Sequence, residues 1–157
     1  MKIRRILHPT DFSERSEHAF RLACALARDH NAPLLVLHVS SPYVIYGEGV
    51  LVEPPPDHTR ELRAQLEQVR PYDPRVVLEH RLVEGDPATE IIRATREAGC
   101  DLIVLGTHGR TGLRRLLMGS VAEEVVRKAH CPVLTVKTPF PAAQTPAAAQ
   151  KTEAVHA

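Results

Sequence analysis

The stretch from Asp101 to Ser120 reads DLIVLGTHGRTGLRRLLMGS and decides the fold class. Its first six residues form a short apolar run, typical of a strand with helices on both faces. A glycine-rich connection follows, with Gly106, Gly109 and Gly119 placed before a helical pattern that starts near Ser120. A buried strand, a glycine-rich turn and a helix in this order predict one crossover unit of a parallel sheet.

The same alternation of strand and helix extends outward over the chain. Apolar runs predict strands at 3–8, 33–39, 75–83, 101–106 and 133–136, and helical periodicity or start signals predict helices at 13–30, 57–70, 86–98 and 121–129. Asp11 with Glu14, or Ser13 alone, is expected to cap the first helix. The order predicts a doubly wound α/β fold: one five-stranded parallel sheet, helices on both faces, Rossmann-like. Such folds bind ligands at the carboxyl ends of their strands.

The 157 residues predict one domain over 1–138 and a tail over 139–157. The tail is rich in alanine and proline and is expected to be disordered, because it cannot bury enough apolar surface to offset its ordering entropy. Residues 41–56 carry Gly47, Gly49 and three consecutive prolines, so they are predicted to form a loop. This loop is unusually apolar, and we expect a protein partner or a ligand to cover part of it.

Charge and hydropathy limit the class of partner. A formal net charge of +1 argues against a protein that coats nucleic acid. The chain has no apolar run of about 18 residues to cross a membrane, and its first ten residues lack the apolar stretch of a signal peptide. Three cysteines, Cys24, Cys100 and Cys131, have no CxxC spacing and are expected to be reduced packing residues. We therefore expect a cytoplasmic protein.

The glycine-rich connection is interpreted as a phosphate cradle. Glycines let backbone N–H groups approach an anion, and the helix N-terminus adds donors and partial positive charge. The Walker pattern GxxxxGK[ST] and the dinucleotide pattern GxGxxG are both absent. Arg110, Arg114 and Arg115 either contact phosphate or form a solvated basic loop. Ser120 either forms a capping box with Glu123 or faces a phosphate.

Three histidines are predicted near the carboxyl edge of the sheet, namely His8, His38 and His108. They come from separate segments without the spacing of metal ligands. Three interpretations remain open: a metal site, a polar neighbour of phosphate at His108, and ordinary hydrogen-bonded side chains.

The pattern of Gly106, two residues, Gly109, nine residues and Gly119-Ser120 resembles the universal stress protein family, as does Pro9-Thr10-Asp11-Phe12-Ser13. The resemblance runs from Ile3 through Val136 and leaves out the tail. The glycines are those of the family's ATP-binding branch. The resemblance also implies an adenine nucleotide alpha-hydrolase-like fold.

For the site, the resemblance implies adenine near Asp11 and the backbone of Val39, and ribose near Gly106. It implies phosphates near Gly109, Gly119, Ser120 and Val121. Pro9, Thr10, His108 and Arg110 complete the predicted site. ATP is the expected ligand, with Mg²⁺ or Mn²⁺ bridging its phosphates.

The resemblance further implies a regulatory, nucleotide-responsive module of the stress response. Strand 133–136 is short, apolar and last in order, so we expect a homodimer through it. Two alternatives stay open: a slow ATP hydrolase or related nucleotide-using enzyme, and a chaperone-like dimer that needs no nucleotide. No catalytic residue is predicted, and ATP hydrolysis is expected to be absent or slow.

Overall fold

A computed structural model describes residues 2–46, 49–107 and 118–137. The strands are β1 (Ile6–Pro9), β2 (Leu34–Ser40), β3 (Val44–Tyr46), β4 (Val50–Val52), β5 (Leu78–Glu84), β6 (Leu102–Gly106) and β7 (Val133–Val136). The helices are α1 (Glu14–His30), α2 (His58–Glu67), α3 (Pro87–Glu97) and α4 (Ser120–Lys128). The predicted tail 139–157 lies outside the described residues, so the domain boundary stays a prediction.

The main sheet has five parallel strands in the order β5-β2-β1-β6-β7, which confirms the predicted fold class. β2 pairs with β5 over seven residues and lies inside the sheet, as its continuous apolar sequence predicts. β7 pairs only with β6 within this sheet, so the last strand lies at an edge.

Side chains alternate along the strands and build one core on each face of the sheet. Ile6, Val36 and Val104 pack with Phe20 of α1 on one face. Their strand neighbours, including Leu7 and Leu37, pack against α3 and α4 on the other face. Because an apolar core covers each face of the sheet, a site for a polar ligand is expected at the ends of the strands.

Side chains that accept hydrogen bonds from first-turn N–H groups determine where helices α1 and α3 begin. Ser13 caps α1 by accepting a hydrogen bond from the Ser16 N–H at 3.2 Å. The alternative box of Asp11 with Glu14 does not form, because Asp11 Oδ1 accepts from the Ser13 N–H and hydroxyl. Asp86 caps α3 by accepting from the Thr89 N–H at 3.0 Å, with Pro87 as the first helical residue.

The segment 41–56 differs from the predicted loop. β3 and β4 pair antiparallel, with Val44 opposite Val52 and Tyr46 opposite Val50. The glycines and prolines flank or join two short β-branched runs, which is the pattern of a hairpin. The expected partner for this segment stays a prediction.

In the part of the chain that the structure describes, no helix has the length and apolar character needed to cross a membrane.

Candidate functional site

The strand order reverses between β1 and β6, and the two strands separate there. They pair only through Ile6 with Leu102 and Leu7 with Ile103, although β6 continues to Gly106. In parallel register the N–H of residue 9 would donate to the Val104 carbonyl, but Pro9 has no N–H. The ladder therefore ends at Pro9, and a crevice opens between the strand ends.

The side chain of His8 replaces the hydrogen bond that Pro9 lacks. Its Nδ1 lies 2.9 Å from the Val104 carbonyl oxygen, and because a carbonyl only accepts, we assign the proton to Nδ1. The ring is fully buried, and this burial lowers the pKa of His8 to about 4, against the raising effects of the Val104 hydrogen bond and of Asp11. His8 is therefore a neutral structural donor at neutral pH.

A cavity of about 240 Å³ lies at this crevice, and we name it the edge cavity. It brings together, from segments far apart in sequence, every predicted site residue that the structure describes. These residues are Pro9, Thr10, Asp11, Val39, Gly106, Gly119, Ser120 and Val121.

The turn after β1 fixes the carboxylate side of the edge cavity. Asp11 Oδ1 accepts from the Ser13 N–H at 3.0 Å and from its hydroxyl at 2.5 Å. Thr10 bonds through Oγ1 with the Ser16 hydroxyl at 3.1 Å, and its carbonyl lies 2.7 Å from His38 Nδ1. The turn thus holds an anionic acceptor beside the cavity before any ligand binds.

The helix after the glycine-rich connection fixes the opposite side. The N-cap of α4 is Gly119, with extended backbone at φ −73° and ψ 155°, and Ser120 is the first helical residue. The capping box of Ser120 with Glu123 is therefore wrong, because the cap position falls one residue earlier. A glycine cap has no side chain that accepts from the N–H groups of the first turn, and no acceptor for them is found among the described residues, so they can bind an anion.

The apolar face of α4 is narrow. Ala122 and Val125 are buried, whereas Val126 is 46% exposed and Val121 is 36% exposed. Residues 122 and 125 are one helical turn apart and face the sheet, while 126 falls outside this stripe. Val121 instead lines the edge cavity.

Several predicted residues lie outside the described part of the chain. They are His108, Gly109 and Arg110 of the predicted site, with Arg114 and Arg115 of the same connection. The ends of that connection are held together, since the Gly119 N–H donates to the Thr107 carbonyl at 2.6 Å.

Of the three histidines, His8 and His38 make backbone hydrogen bonds, as the interpretation of ordinary hydrogen-bonded histidines predicts. Within residues 2–46, 49–107 and 118–137, no three His, Cys, Asp or Glu side chains group closely enough to hold a metal ion.

Sequence reasoning missed part of the cavity lining, including Ser16, Thr107 and the first turn of α3. Pro87 and Ile91, in the first and second turns of α3, follow the carboxyl end of β5, so they reach the same edge of the sheet. The start signal Gly85-Asp86-Pro87 marks this turn in the sequence.

The cysteines lie apart from the edge cavity. Cys24 and Cys100 are buried, and burial raises the pKa of their thiols to about 12 and about 11 respectively. Such thiols stay protonated and unreactive, which fits the predicted packing role.

A parallel sheet in this order, with a cavity where the order reverses, defines a doubly wound α/β domain that takes ligands at its strand ends. Residues 2–137 match the universal stress protein family. Universal stress protein MJ0531 of Methanocaldococcus jannaschii is 36% identical over 146 residues, which cover 87% of this chain and 83% of that protein. The chain therefore belongs to the universal stress protein family.

Solved structures agree with this assignment. MJ0577 of Methanocaldococcus jannaschii superimposes with a TM-score of 0.73 at 27% identity, covering 90% of this chain and 100% of that one. The universal stress protein of Archaeoglobus fulgidus in complex with dAMP gives a TM-score of 0.64 at 25% identity, covering 87% of this chain and 100% of that one.

Proposed function

We propose that this chain binds ATP in the edge cavity and acts as a regulatory, nucleotide-responsive module of the stress response. One observation carries the proposal: an anionic acceptor, an apolar floor and a helix N-terminus capped by glycine converge on one cavity at the strand crossover. The dAMP complex of the Archaeoglobus fulgidus relative supports an adenine nucleotide as the ligand.

The phosphate half of the proposal rests on α4. Ser120, Val121 and Ala122 occupy the first turn, whose N–H groups have no acceptor within the helix. Because α4 has nine residues, its dipole adds partial positive charge at this end. Anionic oxygens bind there without a lysine side chain. Gly109 is proposed to extend this cradle.

The nucleoside half rests on the ends of β1 and β2. Asp11 presents a carboxylate that can accept from the exocyclic amine of adenine, and Val39 contributes backbone groups beside it. Leu37, Ile91 and Leu105 are at most 4% exposed and form an apolar floor on which a flat base can pack. Gly106 leaves room for the ribose at the end of β6. Mg²⁺ or Mn²⁺ would bridge the phosphate oxygens.

A matched pair of substitutions at Ser120 separates backbone from side-chain contributions. Ser120→Ala removes the hydroxyl only, and Ser120→Pro removes the hydroxyl and the N–H. Proline suits this position, because it is the first of the helix and follows a residue with extended backbone.

Calorimetry with ATP and with adenosine then tests the site. A hydrogen bond to a charged group contributes about 1.5–3 kcal/mol, so ATP affinity should fall about 10- to 150-fold further in Ser120→Pro than in Ser120→Ala. Adenosine affinity should be the same in both variants. Equal ATP affinity in the two variants would show that the Ser120 N–H at the start of α4 does not bind the phosphates. If the wild type does not bind ATP at all, the chaperone-like dimer that needs no nucleotide would be favoured.

We propose further that ATP is a bound ligand with little turnover. Backbone donors that hold ground and transition states alike raise affinity without raising the rate. Asp11, the acidic candidate for catalysis, already accepts two hydrogen bonds from Ser13. Single-turnover phosphate release with Mg²⁺ or Mn²⁺ should stay far below about 1 per second. Release near that rate in the wild type, lost in Asp11→Asn, would favour the ATP hydrolase.

A homodimer through β7 is proposed on the edge position of this strand. Pro132 and Val136 accept hydrogen bonds from β6, so even-numbered residues of β7 direct their backbone groups toward β6. By alternation, Val133 and Thr135 direct theirs away from the sheet, toward a partner strand.

Proline substitutions at adjacent positions test this dimer. Thr135→Pro removes an outward N–H and should give a folded monomer by light scattering and circular dichroism. Leu134→Pro removes an N–H that faces β6, so it should lower the unfolding temperature instead. A wild-type monomer, or a Thr135→Pro dimer, would contradict the proposal.

A further inference from the structure

A second cavity of about 430 Å³ lies on the face of the sheet that α1 covers, and we name it the α1-face cavity. It is bordered by α1, the end of α2 and the segment that follows α2. Its volume falls within the range of about 300–1,000 Å³ that is typical of small-molecule sites. It shares Thr10 and Ser16 with the edge cavity, so the turn after β1 separates the two.

The wall of the α1-face cavity contains a buried acceptor that the fold does not use. His8 lines the cavity, and its Nε2 is buried without a hydrogen-bond partner among the described residues. Because Nδ1 carries the proton toward Val104, Nε2 presents a lone pair. A buried acceptor left unpaired is costly, so the site favours a ligand that brings an O–H or N–H donor.

The rest of the lining favours an aromatic ring. Phe12, Phe20 and Tyr72 line the cavity, and the Phe20 ring centroid lies 5.5 Å from that of His8 and 6.0 Å from that of Tyr72. Such spacings suit offset and edge-to-face contacts. Phe12 is held at φ 61°, a left-handed conformation that a bulky residue rarely adopts.

The lining carries one carboxylate, Glu17, and one guanidinium, Arg70, so its formal charges cancel, which favours a neutral ligand. Glu17 accepts from the Tyr72 hydroxyl and pairs with Arg21 at 3.9 Å. Arg70 donates to the carbonyl oxygens of Glu67 and Val69.

We propose that the α1-face cavity is a second ligand site, which binds a small neutral aromatic molecule through an O–H or N–H donated to His8 Nε2. The proposal does not depend on nucleotide binding, because His8 Nε2 and the aromatic lining belong to the α1-face cavity alone and the test uses no nucleotide.

Phenol and toluene are the matched probes, since they have similar shape and only phenol has a donor. In protein labelled with ¹⁵N-histidine, phenol should shift the His8 Nε2 resonance saturably and bind about 2- to 13-fold more tightly than toluene. Amide shifts should fall on Phe20 and Val69 rather than on Gly106 and Ser120.

Two variants keep the proposal falsifiable. His8→Phe keeps a ring but removes the acceptor, so the preference for phenol over toluene should be lost, because the phenol hydroxyl then has no partner. Val69→Trp leaves His8 in place and fills the cavity, so both probes should lose affinity. The proposal is overturned if the wild type binds phenol no better than toluene, if phenol does not move the Nε2 resonance, or if Val69→Trp leaves the shift unchanged.

Discussion

Burial of His8 makes the stability of the domain depend on pH. The group titrates near 6.5 when exposed and at about 4 in the folded protein. The unfolded chain therefore binds a proton that the folded chain does not, and stability falls as pH falls from about 6.5 to about 4. Above this window the contribution of His8 is fully present, and below it the loss is complete.

The size of the effect follows from the two pKa values. Each unit of pH inside the window lowers the free energy of unfolding by up to about 1.4 kcal/mol, so the whole window accounts for about 3 kcal/mol. Between about pH 7 and about pH 5, the loss from His8 alone is about 2 kcal/mol. Other groups also titrate in this range, so the effect must be read as a difference between variants.

Urea unfolding at several pH values, on nucleotide-free protein, measures this difference. His8→Phe should lose about 2 kcal/mol less than the wild type between these pH values. As a control, the two proteins should show nearly the same change between about pH 7 and about pH 8, where His8 is largely neutral in both the folded and the unfolded chain. Equal losses in the wild type and His8→Phe would refute a buried neutral His8.

Three further predictions concern stability. Ser13→Ala should lower the free energy of unfolding by about 0.5–2 kcal/mol through loss of the cap on α1, with Ser13→Thr as the conservative control in urea unfolding; no loss in the alanine variant would contradict the cap. Gly99→Ala should lower the free energy of unfolding by about 1–2 kcal/mol, because φ is +64° at this residue. An added Cβ meets nothing within 4 Å, so the backbone conformation alone sets this cost, and a cost near zero would contradict the left-handed backbone. Ending the chain after Thr138 should leave the melting temperature unchanged; a drop of several degrees would show that the tail contributes roughly 1 kcal/mol or more.

The sheet and its helices could be predicted because their signals are local. Continuous apolar runs marked β2 and β6, and a cap with a proline marked the start of α3. The residues of the edge cavity could be grouped in advance because all parallel strands end at one edge.

The hairpin of β3 and β4 was missed although its signal is local, because glycines and prolines mark ordinary loops as well as hairpin turns. Other features depend on contacts between distant segments. The exposure of Val126 depends on which side of α4 meets the sheet. The α1-face cavity exists only because residues after α2 lie beside α1, a placement that no local pattern encodes.

Backbone amide shifts during an ATP titration test the central claim most directly. Binding in the edge cavity predicts saturable shifts at Asp11 and Val39 at the nucleoside end, and at Gly119, Ser120 and Val121 at the phosphate end. With adenosine, the first group should still shift, while the second should respond much less. Saturating ATP that leaves both groups unmoved, or that shifts Phe20 and Val69 of the α1-face cavity instead, would contradict the account.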